Sequence, residues 1–178
     1  MSIIYEPAED SHLIYREVKK LSKDKKVLDM GTGSGILAIG AKRGGAIEVL
    51  AADINEKAVE AVNKKGIKAV VSDLFSNITG KFDLIIFNPP YLPEDPREDK
   101  ESSLITTGGK RGDEITLKFL EKADKYLYPR GEILILVSNL TSLKRIEEVI
   151  EKKGYSKRVL ASEKLFYEEL FVWKLTKQ

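Results

Sequence analysis

Val27-Leu-Asp-Met-Gly-Thr-Gly-Ser-Gly35 is the stretch that decides the fold. Valine, leucine and methionine around one aspartate run straight into three glycines spaced one residue apart, and Ile36 to Ala41 then continues as an apolar helical segment. A buried strand that breaks into a glycine turn and restarts as a helix opens a parallel α/β unit, because glycine takes left-handed backbone without penalty and lets another group approach closely.

The rest of the chain repeats that alternation. Glu48 to Asp53, about Lys68 to Asp73, Phe82 to Phe87 and Gly131 to Val137 read as further strands. The spacing predicts helices over Glu56 to Lys64, stopped by Gly66, and over Ser142 to Lys153, with Leu143, Ile146, Val149 and Ile150 inward. Before the glycine turn, Glu6-Pro-Ala-Glu-Asp-Ser11 opens a helix whose Ile14, Val18 and Leu21 share one face. Asp113 is expected to cap a helix carrying Phe119, Leu120, Ala123, Tyr126 and Leu127 that Pro129 stops. Leu92 to Ser103, rich in Pro, Glu, Asp and Lys, reads as a long solvated loop, and Ser156 to Ala161 with Leu170 to Leu175 as a closing hairpin. Strands alternating with helices pair in parallel through right-handed crossovers. The expectation is a single domain over residues 1–178: an α/β fold with a mostly parallel seven-stranded sheet, a C-terminal antiparallel hairpin and helices on both faces.

Composition narrows the chemistry. There is no cysteine, which excludes disulfides, thiol nucleophiles and cysteine zinc sites, and the lone His12 cannot build a metal centre, so no metal is expected. Thirty basic against 28 acidic residues leave a net charge of +2 with the signs interspersed, which argues against a nucleic-acid-binding surface. No apolar run approaches the roughly 18 residues of a membrane helix, and the N-terminus lacks a signal-like apolar core, so a cytoplasmic location without membrane contact is expected.

In an open parallel sheet the ligand lies beyond the carboxyl ends of the strands, beside the first strand. The glycine spacing there is G-x-G-x-G. Ile36 stands where the dinucleotide fingerprint needs its third glycine, and no Gly-Lys-Ser/Thr follows to make a phosphate loop. Asp29, just before the turn, repels a pyrophosphate and suits a cationic ligand, a description met by S-adenosylmethionine. Asp29 to Gly35 resembles the first motif of the Rossmann-like methyltransferases. The resemblance implies that Gly31 and Gly33 let backbone approach the cofactor, that Asp53 accepts the ribose hydroxyls, and that Asp73 and Leu74 hold adenine.

Asn88-Pro-Pro-Tyr91 follows the fourth strand directly. Packing does not call for it, because proline ends a ladder and a buried asparagine needs partners. A planar amide or aromatic amine is a poor nucleophile. If the Asn88 oxygen and the Pro89 carbonyl each accept one hydrogen of an NH2 group, they aim its nitrogen and favour the pyramidal form, while the rigid Pro89-Pro90 pair holds the carbonyl and Tyr91 stacks on the plane. The run resembles the Asn/Asp-Pro-Pro-Tyr/Phe motif of amino-methyltransferases, with Asn88, Pro89 and Tyr91 catalytic and Asn88, Pro89, Pro90 and Tyr91 facing the substrate.

Tyr5-Glu-Pro-Ala-Glu-Asp-Ser11, Asp29 to Gly35, Asn88 to Tyr91 and Gly108-Gly-Lys-Arg-Gly112, in that order, resemble the HemK-like glutamine methyltransferases and in particular their short eukaryotic and archaeal branch. That resemblance implies methylation of the glutamine amide in the Gly-Gly-Gln motif of a class-one peptide-release factor. It implies cofactor contacts at Ser11, Asp29, Gly31, Gly33, Asp53, Asp73, Leu74 and Asn88, and a small zinc-binding activator protein paired with the edge strand Ile67 to Val71. Two other readings stand beside it: methylation of the exocyclic amine of adenine in DNA or RNA, which would use Asn88, Pro89 and Tyr91 almost unchanged, and a noncatalytic cofactor-binding scaffold.

Overall fold

The structure, a computed structural model, describes residues 7–95, 97 and 106–177. Tyr5 and Glu6 of the N-terminal motif, and residues 98–103 of the expected loop, lie outside the described residues.

Seven strands form the main sheet in the order β3-β2-β1-β4-β7-β9-β8: β1 (Lys26–Met30), β2 (Glu48–Asp53), β3 (Lys68–Val71), β4 (Phe82–Phe87), β7 (Leu127–Ser138), β8 (Tyr155–Lys164) and β9 (Glu169–Lys177). Every pairing from β3 to β7 is parallel, while β9 runs antiparallel to both β7 and β8. The hairpin is therefore as expected, but its second strand is the one inserted next to β7. A two-stranded ribbon, β5 (Leu92–Pro93) with β6 (Thr107–Gly109), gives order to the start of the segment read as a solvated loop and pairs it with residues beyond its end.

The sheet is buried on both faces, which is why its central strands read as continuous apolar runs. Along β4, Phe82, Ile85 and Phe87 enter one core while Leu84 and Ile86 enter the other. Along β7, Ile133, Ile135 and Val137 alternate with Leu134 and Leu136 in the same way. Helices α1 (Glu9–Leu21), α2 (Ile36–Arg43) and α3 (Glu56–Lys64) cover the second face, burying Leu13, Ile14, Val18, Leu37, Ala38, Val59 and Val62. The first face is covered by α4 (Glu114–Ala123) and α5 (Leu143–Lys152), through Phe119, Leu120, Ile146 and Ile150. Among the described residues, no helix is long and apolar enough to cross a membrane.

Three boundaries differ from expectation. The first helix starts at Glu9, with Ala8 before it, rather than at Glu6-Pro7. Helix α4 ends at Ala123; a 3-10 turn, Asp124–Tyr126, follows, and Leu127 already belongs to β7. Pro129 therefore lies inside a strand. It sits in a bulge, where the register jumps from Phe82 opposite Leu127 to Leu84 opposite Glu132 and Arg130 turns left-handed at φ 66. The missing amide hydrogen is tolerated there because the ladder is already interrupted. Asp113 precedes α4 but makes no side-chain cap; its carboxylate instead takes both its bonds, 2.8 and 2.9 Å, from Arg145 on α5.

The end of β4 rests on packed rings. Phe119 is fully buried, 4.4 Å between centroids from Phe87 and 5.3 Å from Phe75. Phe119→Ala is expected to cost about 3–5 kcal/mol of unfolding free energy, read as a lower guanidinium midpoint at unchanged slope.

Candidate active site

Strands β1 and β4 are neighbours in register, Met30 opposite Phe87, so the glycine turn and Asn88 leave the sheet side by side. The turn is tight: Gly31, Gly33 and Gly35 have φ of 63, 50 and 82, and a Cβ on Gly35 would stand 2.8 Å from Val62. Two carboxylates fix its shape. Asp29 Oδ2 accepts from Thr32 Oγ1 (2.7 Å) and from the Ala38 amide of α2 (2.9 Å). Asp53, at the end of β2, accepts from the Gly33 amide through Oδ2 (2.8 Å) and from the Asn55 amide through Oδ1 (2.9 Å).

Asp29 is fully buried, and among the described residues its Oδ1 has no hydrogen-bond partner. Burial pushes its carboxyl up to about 7, against the pull of the Thr32 and Ala38 hydrogen bonds and with a smaller push from the Asp53 charge. A lone buried carboxylate oxygen is costly unless a donor or cation meets it.

Asn88 carries the second such atom. Its Nδ2 donates to Asp10 Oδ2 at 2.9 Å and lies 3.4 Å from Ser11 Oγ, both in the first turn of α1. With the NH2 end engaged by acceptors, the amide is fixed in one orientation, and the buried Oδ1 is left without a partner among the described residues. Pro89 is buried and Tyr91 half-buried, packed against the core that holds α1. Burial, with the negative charges of Asp10, Glu168 and Glu9, raises the Tyr91 phenol well above its ordinary range, so it stays neutral.

The glycine loop 108–112 is a brace for this run. A Cβ on Gly108 would lie 2.1 Å from the Gly112 carbonyl oxygen and 2.6 Å from that of Pro90; one on Gly112 would lie 2.2 Å from the Tyr91 oxygen. Backbone thus packs on backbone over Pro90-Tyr91, and the buried Asp113 carboxylate, paired with the half-buried Arg145, pins the loop's far end to α5.

Residues 9–167 match the sequence model of one family, the methyltransferase small domain. The chain belongs to that family. A Methanocaldococcus jannaschii protein named as an N5-glutamine methyltransferase is 39% identical, over 97% of this chain and 92% of that one. Methyltransferase HEMK2 of Homo sapiens is 28% identical, over 99% and 91%. Among solved structures, the E. cuniculi Mtq2–Trm112 complex, responsible for methylation of the eRF1 translation termination factor, superposes with a TM-score of 0.82 at 27% identity over the whole of both chains.

The methyl donor of this methyltransferase is S-adenosylmethionine. The residues present fit its charge, since the unpartnered Asp29 oxygen suits a cationic group. Of the residues singled out in the sequence, Ser11, Asp29, Gly31, Gly33, Asp53 and Asn88 are joined by the hydrogen bonds and the β1–β4 register above. Asp73 and Leu74 lie past the end of β3, which stops at Val71, in a turn where Leu74 is left-handed at φ 47 and half-buried while the Asp73 side chain is exposed. His12 is exposed on α1. Sequence reasoning passed over Asp10, which orients Asn88, and Thr32, which holds Asp29; a carboxylate beside a conspicuous hydroxyl residue in the first helical turn was the available signal for Asp10.

Two outcomes follow from this geometry in the methyltransferase. A cation against Asp29 Oδ1 favours the ionised carboxylate, so affinity for S-adenosylhomocysteine, whose amino group is cationic, should rise as pH climbs toward about 7 and level off above it. Asp29→Asn should flatten that profile in calorimetry and weaken binding about tenfold or more. Without ligand the sign reverses: the unfolded carboxyl ionises near 3.8 and the folded one near 7, so the folded chain holds the extra proton between them and Asp29 erodes stability as pH rises through that window. Separately, Gly108→Ala must displace the Pro90 carbonyl or the loop, and turnover is expected to fall about 100-fold with cofactor binding largely kept.

Proposed function

We propose that this chain transfers a methyl group from S-adenosylmethionine to the side-chain amide nitrogen of a glutamine in a class-one peptide-release factor. One observation carries the reading: the Asn88 carbonyl oxygen is buried, unpartnered and locked in place by Asp10, at the strand tip next to the glycine turn. Such an oxygen is ready to accept one hydrogen of an incoming NH2 group. The names of the M. jannaschii and E. cuniculi relatives point to a glutamine and a translation termination factor as its owner.

The cofactor supplies an electrophilic methyl group. The protein's own residues do the rest. Asn88 Oδ1 and the Pro89 carbonyl accept the two amide hydrogens, hold the nitrogen in place and weaken its conjugation with the carbonyl, which a planar amide needs before it can act as a nucleophile. Tyr91, neutral and half-buried, offers a ring face on which the amide plane can stack. No side chain need act as a strong base, because the acceptor's proton becomes acidic once its nitrogen is cationic and passes to water as the product leaves. Gly31 and Gly33 approach the cofactor by backbone, Asp29 and Ser11 meet its methionine end, Asp53 the ribose, and Asp73 with Leu74 the adenine.

The same reading includes a small zinc-binding activator protein. Strand β3 is one edge of the sheet; Val71 at its end and Ile54, just after the neighbouring β2, are exposed apolar residues, 38% and 63% accessible. An unpaired edge flanked by apolar side chains is a template for strand addition. The edge expected at Ile67 to Val71 thus fits a partner, although Ile67 itself is buried.

Labelled S-adenosylmethionine, supplied with a release factor, its Gln→Asn variant or single-stranded nucleic acid, with and without a Trm112-type protein, tests the whole reading. Label is expected on the intact release factor alone. Asn88→Ala should abolish transfer while keeping S-adenosylhomocysteine binding within a few-fold. Label on nucleic acid alone would overturn the assignment.

A further inference from the structure

The hairpin joining β8 to β9 closes on four residues, the Leu165 amide donating to the Glu168 carbonyl at 2.8 Å, so Phe166 and Tyr167 occupy its two central positions. They are 89% and 85% exposed, their rings edge-on with centroids 4.5 Å apart. Turn centres ordinarily carry Gly, Asn, Asp or Ser, and two large rings held in water there contribute nothing to the core.

Their position connects them to the acceptor residues. Leu165 packs in the same cluster as Tyr91. The Glu168 carboxylate accepts from Ser138 Oγ at 2.7 Å, at the end of β7, the neighbour of β4, and its charge is among those that act on the Tyr91 phenol. Glu169 donates to Asn139 Oδ1 at 2.8 Å, and the Asn139 amide donates back to the Glu169 carbonyl at 3.1 Å. That exchange ties the hairpin's base to the turn bearing Leu140, 41% exposed. The aromatic tip is thus a braced extension of the edge that carries Asn88 to Tyr91.

We propose that Phe166 and Tyr167 form a docking surface for the polypeptide that flanks the acceptor amide, gripping a protein loop outside the site while Asn88 holds its glutamine. The proposal deepens the glutamine reading and rests on it. Charge selects the class of partner: Glu163, Glu168 and Glu169 against Lys164 surround the tip, an acidic setting that repels a phosphate backbone and suits a neutral or basic peptide segment. Exposed aromatic rings are efficient anchors for such a segment because they bury much area at little entropic cost.

The test compares the wild-type chain with Phe166→Ser/Tyr167→Ser, each with a Trm112-type protein, in steady-state methylation of an intact release factor. Melting temperature, sedimentation and S-adenosylhomocysteine affinity are measured alongside. The expected result is a KM for the release factor raised tenfold or more, with kcat within about twofold and cofactor affinity and melting temperature unchanged. An unchanged KM in the variant, with an active wild type, overturns the docking surface and leaves the glutamine reading intact. A wild type that sediments as a dimer dissociated by the substitutions, with KM unaffected, assigns the rings to self-association and also overturns it. A wild type that transfers nothing to the release factor takes down both.

Discussion

One hydrogen bond organises the edge that carries Asn88 to Tyr91: the Asn88 amide donating to the Asp10 carboxylate, between residues 78 positions apart. It joins the first helix to the fourth strand, and it decides which end of an asparagine faces outward. Without an acceptor at Asp10 the amide would be free to turn, and the site would offer donors where an NH2 group needs acceptors. Burial makes the choice consequential, because an atom with no partner in a dry place favours any ligand that supplies one. Helix α1 therefore does more than cover the sheet. Its apolar stripe, Leu13, Ile14 and Val18, sets the height at which its first turn meets the strand tip.

The same logic repeats one strand away. Asp29 sits at the end of β1 with one oxygen fully used in shaping the glycine turn and the other open. A fold built only for stability would replace it with an apolar residue, since burial has raised its carboxyl to about 7. Two adjacent strands thus end in polar side chains that each satisfy the protein with one atom and leave another unmet. Local cost of this kind gathers where a ligand completes the hydrogen bonding.

Much of this was legible because it depends on local pattern. The central strands announce themselves as apolar runs since both of their faces are covered, and the glycine spacing marks the turn because glycine holds left-handed backbone angles without the steric cost other residues carry. What was not legible depends on distant partners. The Asp113 position before a helix suggests a cap, yet the Arg145 guanidinium from α5 outcompetes the backbone amides for its carboxylate. Pro129 signals an end to helix but not that a bulge would admit it to a strand. Asp10 looks like an ordinary acid favouring a helix start, and Gly108 and Gly112 like flexible hinges, until the fold brings Asn88, Pro90 and Tyr91 against them. Spacing along the chain carries no trace of those contacts.

The strand order β7-β9-β8 has a consequence for synthesis of the chain. Strand β8 is paired with β9 alone, so it emerges from the ribosome with no place in the sheet, and β7 meanwhile presents an open row of backbone donors and acceptors. Only when residues 169–177 thread antiparallel beside β7 can either strand be satisfied. Until that segment arrives, the half with the glycine turn and Asn88 has an open flank at β7.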